Sequence, residues 1–437
     1  MKFYNRKKEL SLLEKIRSKA LKSAQMSFVV GRRRIGKTTL LVKSSENTDC
    51  VYFFVARKNE ALLCEELIEV IRLQLNVEVF GIFKSFKEVF GYLMELSKTK
   101  HFTLILDEFQ EFLSINPSVY SDMQNIWDRH KEESRINLIL CGSVYSLMKH
   151  IFENSKEPLF GRATQRIHLK PFDLSTIKEI MKDHNPNYTN EDLLAFYMIT
   201  GGVAKYVEQL IEAEAYTFNS IMNEIFSFNS IFIDEGKNVL IDEFGKEYGN
   251  YFSILSLIAS SKTSRNEIES ILEMPIGGFL DRLENDYGLI RKVRPIFSKP
   301  TSRSVKYQIH DNFLNFWFRF IYKYRSAIEI GNLDYVKEIA RRDYKVYSGR
   351  ILEKYFTEMM IESGDYSQIG TYWEKANKNE IDIVAVNERK KIMIIAEVKR
   401  QHKNISIPEL QEKSKSLSRK FSDYKIEYQG LSMGDMK

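Results

Sequence analysis

The chain has 437 residues, 43% hydrophobic and 28% charged, which is more than one hydrophobic core usually organises and is too apolar for disorder. Its 65 basic and 59 acidic residues leave a net charge of +6, a lean that permits a polyanionic partner without demanding one. Cys50, Cys64 and Cys141 are few and widely spaced, so a disulfide framework and a C-x-x-C metal knuckle are excluded. No run approaches about 18 apolar residues. A cytoplasmic protein without membrane contact is expected.

In chain order, residues 26 to about 170 alternate short apolar runs with longer amphipathic segments, the pattern of a parallel sheet with crossover helices. Strands are predicted at Met26 to Val30, Val51 to Val55, Phe102 to Leu106, Ile136 to Cys141 and Gln165 to Leu169. Directly after the first comes Gly31-Arg32-Arg33-Arg34-Ile35-Gly36-Lys37-Thr38, followed by Thr39. The glycines let backbone N–H groups turn inward onto phosphate oxygens, and the helix that follows offers them its positive end. Lys37 is expected on the β- and γ-phosphates of ATP and Thr38 on Mg²⁺. The third strand ends in Asp107-Glu108: Asp107 would complete the Mg²⁺ shell, and Glu108 could take a proton from the attacking water or simply cap the next helix. Ser143, after the fourth strand, reads equally as a γ-phosphate sensor or as a helix N-cap. Arg162, ahead of the fifth, is a candidate charge neutraliser for a phosphate in its own or a neighbouring subunit, so a homo-oligomer is allowed.

These residues carry a resemblance. Phe3-Tyr4-Asn5-Arg6-Lys7-Lys8-Glu9-Leu10, the P-loop, Ile105-Leu106-Asp107-Glu108-Phe109-Gln110, Cys141-Gly142-Ser143, Gly161-Arg162 and Thr200-Gly201-Gly202-Val203-Ala204-Lys205-Tyr206 resemble, in order, the archaeal-type ATPase family of the AAA+/STAND branch. The resemblance implies an ATPase core over residues 1–172 and a helical lid over 173–215, with Asn5, Arg6 and Glu9 near the adenine. Ala204 departs from it, because the family usually has proline there.

Residues 216–249 read as a helical connector whose acids Asp234, Glu235, Asp242 and Glu243 form a solvated face. Over 250–310, three short helices (Tyr251 to Ile258, Ser264 to Leu272, Pro275 to Tyr287) precede strands at Gly288 to Val293 and Ser304 to Ile309. That is the order of a winged helix-turn-helix, with Arg282, Arg291, Lys292, Arg294, Lys299, Arg303 and Lys306 clustered in it. DNA is one expected partner and a partner protein the other, since Asp281, Glu284 and Asp286 share the presumed reading helix. Asp311 to Phe320, in an aromatic helical linker over 311–348, is dense in aromatics at core-packing spacing.

Residues 349–437 hold Glu353 on a predicted helix, then Glu380-Ile381-Asp382 on one strand and Glu397-Val398-Lys399 ending another. Period-two geometry sets Glu397 and Lys399 on one sheet face, where Asp382 could converge with them. This is the order of the PD-(D/E)XK nuclease core, a restriction-endonuclease-like α/β domain. Asp382, Glu397 and Glu353 would ligate a second Mg²⁺ or Mn²⁺, and Lys399 would polarise the attacking water or steady the pentavalent phosphate. The alternative is a degenerate nuclease fold retained for holding DNA or for assembly. By resemblance, such a domain accompanies the winged helix in archaeal-type ATPases. The expected whole is α/β: a P-loop parallel sheet with a helical lid, a winged helix-turn-helix, and a restriction-endonuclease-like domain.

Overall fold

The computed structural model describes residues 2–245 and 248–436, save the side chains of Asp242 and Ala376. The chain divides into two compact units, residues 4–171 and the part from Phe172 onward, which the extreme amino terminus joins.

In the first unit, β1 (Gln25–Val30), β2 (Cys50–Phe54), β3 (Phe102–Asp107), β4 (Ile136–Cys141) and β5 (Gln165–His168) form a parallel sheet in the order β2-β3-β4-β1-β5. All residues of β3 and β4 are buried, which is why they read as continuous apolar runs rather than alternating ones. Crossover helices such as Glu60–Leu75 and Phe86–Thr99 pack Leu67, Ile71, Phe90 and Leu93 into the same core. The β1 and β3 carboxyl ends, and the loops leaving them, therefore meet on one edge with β4 between them.

The second unit begins with helices Leu174–His184, Asn190–Thr200 and Ala204–Glu212, the segment expected as a lid. Asp173 caps the first of these and Thr189 builds a capping box with Asp192 on the second. Gly202 lies at φ +77°, and a Cβ there would sit 2.2 Å from the Phe172 carbonyl oxygen, so only glycine lets the two segments pair.

Helices Tyr248–Ala259, Arg265–Leu272 and Gly277–Asp281, the last prolonged by a wider turn to Asp286, precede an antiparallel hairpin of β6 (Ile290–Val293) and β7 (Lys306–Ile309). Before them, helix Phe232–Phe244 corrects one expectation: Glu235 is buried, not solvated, and accepts a 3.2 Å bond from the Tyr206 hydroxyl. Asp242 of the same expected face lies outside the described side chains. The aromatic segment is core, as its spacing predicted. Trp317 is fully buried and donates its indole N–H to the Ile233 carbonyl at 2.8 Å.

A continuous 31-residue helix, Leu333–Ser363, runs through position 348, where a boundary was expected. After it come β8 (Gln368–Tyr372), β9 (Ile381–Asn387), β10 (Ile392–Val398), helix Ile407–Lys420 and β11 (Lys425–Leu431). The sheet order is β11-β10-β9-β8, antiparallel except for the β10–β11 pair. Among the described residues, no helix is long and apolar enough to cross a membrane.

Candidate functional site

The loop between β1 and helix Lys37–Ser44 has the curl its glycines predict. Gly36 sits at φ +90°, and a Cβ on Gly31 would come within 2.7 Å of the Leu169 carbonyl oxygen. Arg34 also lies in the left-handed region, at φ +71°. Ile35 is buried beneath the loop, and the guanidinium of buried Arg6 reaches its carbonyl oxygen at 3.5 Å. Lys37 is buried too. Its ammonium donates to the carbonyl oxygens of Gly31, at 2.8 Å, and Arg32, at 3.1 Å, so the loop is closed on its own lysine. Burial holds that ammonium below its usual pKa, against the pull of Glu108 and Asp107.

Thr38 and Asp107 meet as expected, the Thr38 hydroxyl donating to Asp107 Oδ2 at 2.9 Å, while Thr39 stands exposed on the next position of the helix. The two oxygens thus lie close enough to share one cation, and this donor set fits Mg²⁺. Tyr52, which sequence reasoning passed over, and Gln110, quoted above without a role, complete the cluster. The Tyr52 hydroxyl donates to the same Asp107 oxygen at 2.8 Å, and burial first, then Asp107, pushes its phenol well above the usual range. Gln110 donates its amide to Glu108 Oε2.

Glu108 adopts φ +55° and holds Ser143, whose hydroxyl donates to Oε2 at 2.7 Å and whose backbone N–H reaches it at 3.3 Å. Ser143 does not cap the next helix: Tyr145–Glu153 starts after Val144 with no side-chain cap. Arg33 donates to the Ser143 hydroxyl at 3.4 Å, linking the P-loop to this carboxylate. A Cβ on Gly142 would lie 2.2 Å from Gln110 Oε1, so that glycine permits the close approach. Arg162 is elsewhere engaged. It forks onto Asp128 at 2.7 and 3.1 Å and donates to the carbonyls of Pro158 and Phe160.

In the second unit, Asp382 on β9 and Glu397 on β10 converge with Lys399, whose ammonium stands 3.4 Å from an oxygen of each. The Val398 N–H donates to Asp382 Oδ2 at 2.8 Å. Lys413, from helix Ile407–Lys420, adds a second ammonium 3.3 Å from Glu397 Oε1, and sequence reasoning missed it because nothing local marks it. Burial pushes the Glu397 carboxyl up, yet Lys399 and Lys413 outweigh it and the net direction is down. Burial, and then Asp382, push Glu353 up to about 8. Among the described residues, no three His, Cys, Asp or Glu side chains adopt a metal-holding arrangement, so Glu353 is a neighbour here rather than a converged ligand. One oxygen still invites a cation: Glu397 Oε2 is buried without a hydrogen-bond partner.

The comparisons agree with this geometry at the level of fold and family. Residues 3–210 match a family described as an ATPase domain predominantly from Archaea, and residues 317–414 match one described as Archaea bacterial proteins of unknown function. An uncharacterised protein of Methanocaldococcus jannaschii is 30% identical over 415 residues, covering 91% of this chain and 87% of that protein. Another from the same organism is 38% identical over 56 residues, 13% of this chain and 54% of its own. The solved structure of a Walker-type ATPase of Pyrococcus abyssi superposes with a TM-score of 0.56 at 17% identity, over 72% of this chain and 96% of that one.

Proposed function

Because the chain belongs to the family of archaeal-type P-loop ATPases, we propose that it hydrolyses ATP and directs the resulting change of state to DNA, which its carboxyl-terminal domain cleaves. The observation that carries this reading is that two separate clusters of acids with a lysine, Lys37-Thr38-Asp107-Glu108 and Asp382-Glu397-Lys399, are each drawn together from distant positions.

At the first, Lys37 turns from the carbonyls of Gly31 and Arg32 onto the β- and γ-phosphates, and backbone N–H groups from Gly31 to Thr38 take the remaining oxygens. Mg²⁺, held by Thr38 and Asp107, would supply neutralisation of charge on the leaving oxygens. Glu108 accepts the proton of the attacking water, and Ser143 with Gln110 holds its carboxylate until a γ-phosphate competes for Ser143. Arg162 serves a neighbouring subunit only if it first leaves Asp128.

At the second, Asp382 and Glu397 would hold a divalent cation, which would supply a lowered pKa for bound water. Lys399 then leaves the acids and steadies the pentavalent phosphate. The strand order and the helix between β10 and β11 support a restriction-endonuclease-like domain, and the three helices with the β6–β7 hairpin support a winged helix.

A second reading, an ATP-driven switch that recruits a partner protein, is favoured by one feature. The presumed reading helix exposes Asp281 and Asp286, acids that the phosphates flanking a major groove would repel. Nicking of supercoiled DNA with Mg²⁺ or Mn²⁺ separates the two. Cleavage that disappears in Asp382→Ala with Lys399→Ala supports the first; no cleavage under either metal, with ATP hydrolysis intact, leaves the switch.

A further inference from the structure

The β6–β7 hairpin does not project into solvent as a lone wing: it is fixed to the carboxyl-terminal sheet. The Ile296 N–H donates to the Thr371 carbonyl at 2.8 Å, which extends the edge strand β8 by one bond. The Trp373 indole N–H donates to Ser304 Oγ at 2.7 Å, and the Phe297 ring packs on Phe421 with centroids 4.5 Å apart. Lys306 lies over the Trp373 ring, 4.6 Å from its centroid, and pairs with Glu380 at 2.8 Å. Glu380 is two residues before Asp382, so this bolt is at the same end of the sheet as the acid–lysine site.

The charges left without an ion pair at this junction are mostly positive. Lys299 and Arg303 on the hairpin loop and Lys375 and Lys378 on the loop after β8 are exposed, and among the described residues none of the four forms an ion pair. Of the acids beside them, Glu380 is paired with Lys306, and Glu374 keeps its charge while accepting from the neutral Asn379 amide at 2.9 Å and the Tyr372 hydroxyl at 3.1 Å. Two loops from different modules therefore present unpaired cations on one rigid support, next to carboxylates suited to phosphodiester chemistry.

We propose that the hairpin loop and the loop after β8 form one composite platform that grips the phosphate backbone of double-stranded DNA and delivers it to Asp382, Glu397 and Lys399. Recognition is by backbone charge rather than by a helix in the major groove, and the reading helix takes no part in it. The delivery clause rests on the DNA-cleaving reading; the grip does not.

The test is the salt dependence of binding to a fluorescein-labelled DNA duplex in EDTA, where nothing is cleaved, using the full chain. Each phosphate contact contributes about 0.9 to the slope of log K against log salt, so Lys299→Ala with Arg303→Ala should lower it by about 1.8. Lys375→Ala with Lys378→Ala should do the same, whereas Arg282→Ala should leave it unchanged. Unaltered slopes in both double variants overturn the platform, as does loss on Arg282→Ala alone. An RNA duplex or phosphatidylserine vesicles bound more tightly than DNA, with the same residues required, would also overturn it, because the partner is then another polyanion. If both double variants weaken binding but no metal yields cleavage, the platform stands and the nuclease reading falls.

Discussion

Two lysines, Lys37 and Lys399, each stand near two acids, yet they keep different company. Lys37 donates to backbone carbonyls of its own loop, leaving Asp107 to Thr38 and Tyr52, and Glu108 to Ser143 and Gln110. Lys399 instead lies directly between Asp382 and Glu397. At the first site the lysine and the two carboxylates have separate partners; at the second the lysine is paired with both carboxylates. On the function proposed above, the first arrangement leaves the lysine free to turn to a nucleotide, and the second makes the ammonium a competitor for a metal at the acids.

The largest expected effect sharpens this contrast at the first site. Glu108→Gln should slow ATP hydrolysis by about 10²–10⁴-fold while nucleotide affinity, measured by titration with a fluorescent ATP analogue, is retained, because only proton acceptance is lost. Ser143→Ala, which removes one hydrogen bond to a charged group, should cost about tenfold. At the second site, Lys399→Met should abolish cleavage and yet tighten Mn²⁺ binding followed by electron paramagnetic resonance. Weaker Mn²⁺ binding would mean that the lysine supports the metal instead of competing with it.

Smaller effects concern stability. Gly236 faces the Trp317 ring, where a Cβ would come within 2.2 Å, so Gly236→Ala should lower stability by about 1–3 kcal/mol in denaturant titrations. Glu353 gives a pH signature. Its carboxyl is raised from an ordinary 4.5 to about 8, so between those values the folded chain holds a proton that the unfolded chain has released. Its contribution is therefore present below about 4.5 and lost as pH rises toward 8. Glu353→Gln should flatten that decline in EDTA; an unchanged pH profile would show that the carboxyl is not perturbed.

What the sequence disclosed follows from how local each signal is. The P-loop and Asp107-Glu108 are contiguous motifs whose spacing encodes their geometry, and the structure brings Lys37, Thr38, Asp107 and Glu108 together. Tyr52 could not be read, because its role depends on β2 pairing beside β3, where Phe54 lies opposite Asp107. Lys413 was hidden for the same reason, since only the packing of its helix on β10 turns it toward Glu397. Glu235 misled because an acid on a helix reads as solvated until Tyr206 is seen to cover it. The expected boundary at 348 failed to register as a break because helix Leu333–Ser363 serves both sides of it. Nothing in the spacing of residues 294–305 announced that the hairpin loop would continue the edge of a different sheet.

On the proposed function, two chemistries reside in separate sites of one chain. That proposal is tested most directly by measuring ATP hydrolysis and plasmid nicking side by side for wild type, Glu108→Gln and Asp382→Asn. Asp382→Asn should lose nicking and retain hydrolysis at the wild-type rate, while Glu108→Gln should lose hydrolysis. Loss of hydrolysis in Asp382→Asn, or a wild type that nicks no DNA with either Mg²⁺ or Mn²⁺, would contradict the proposal.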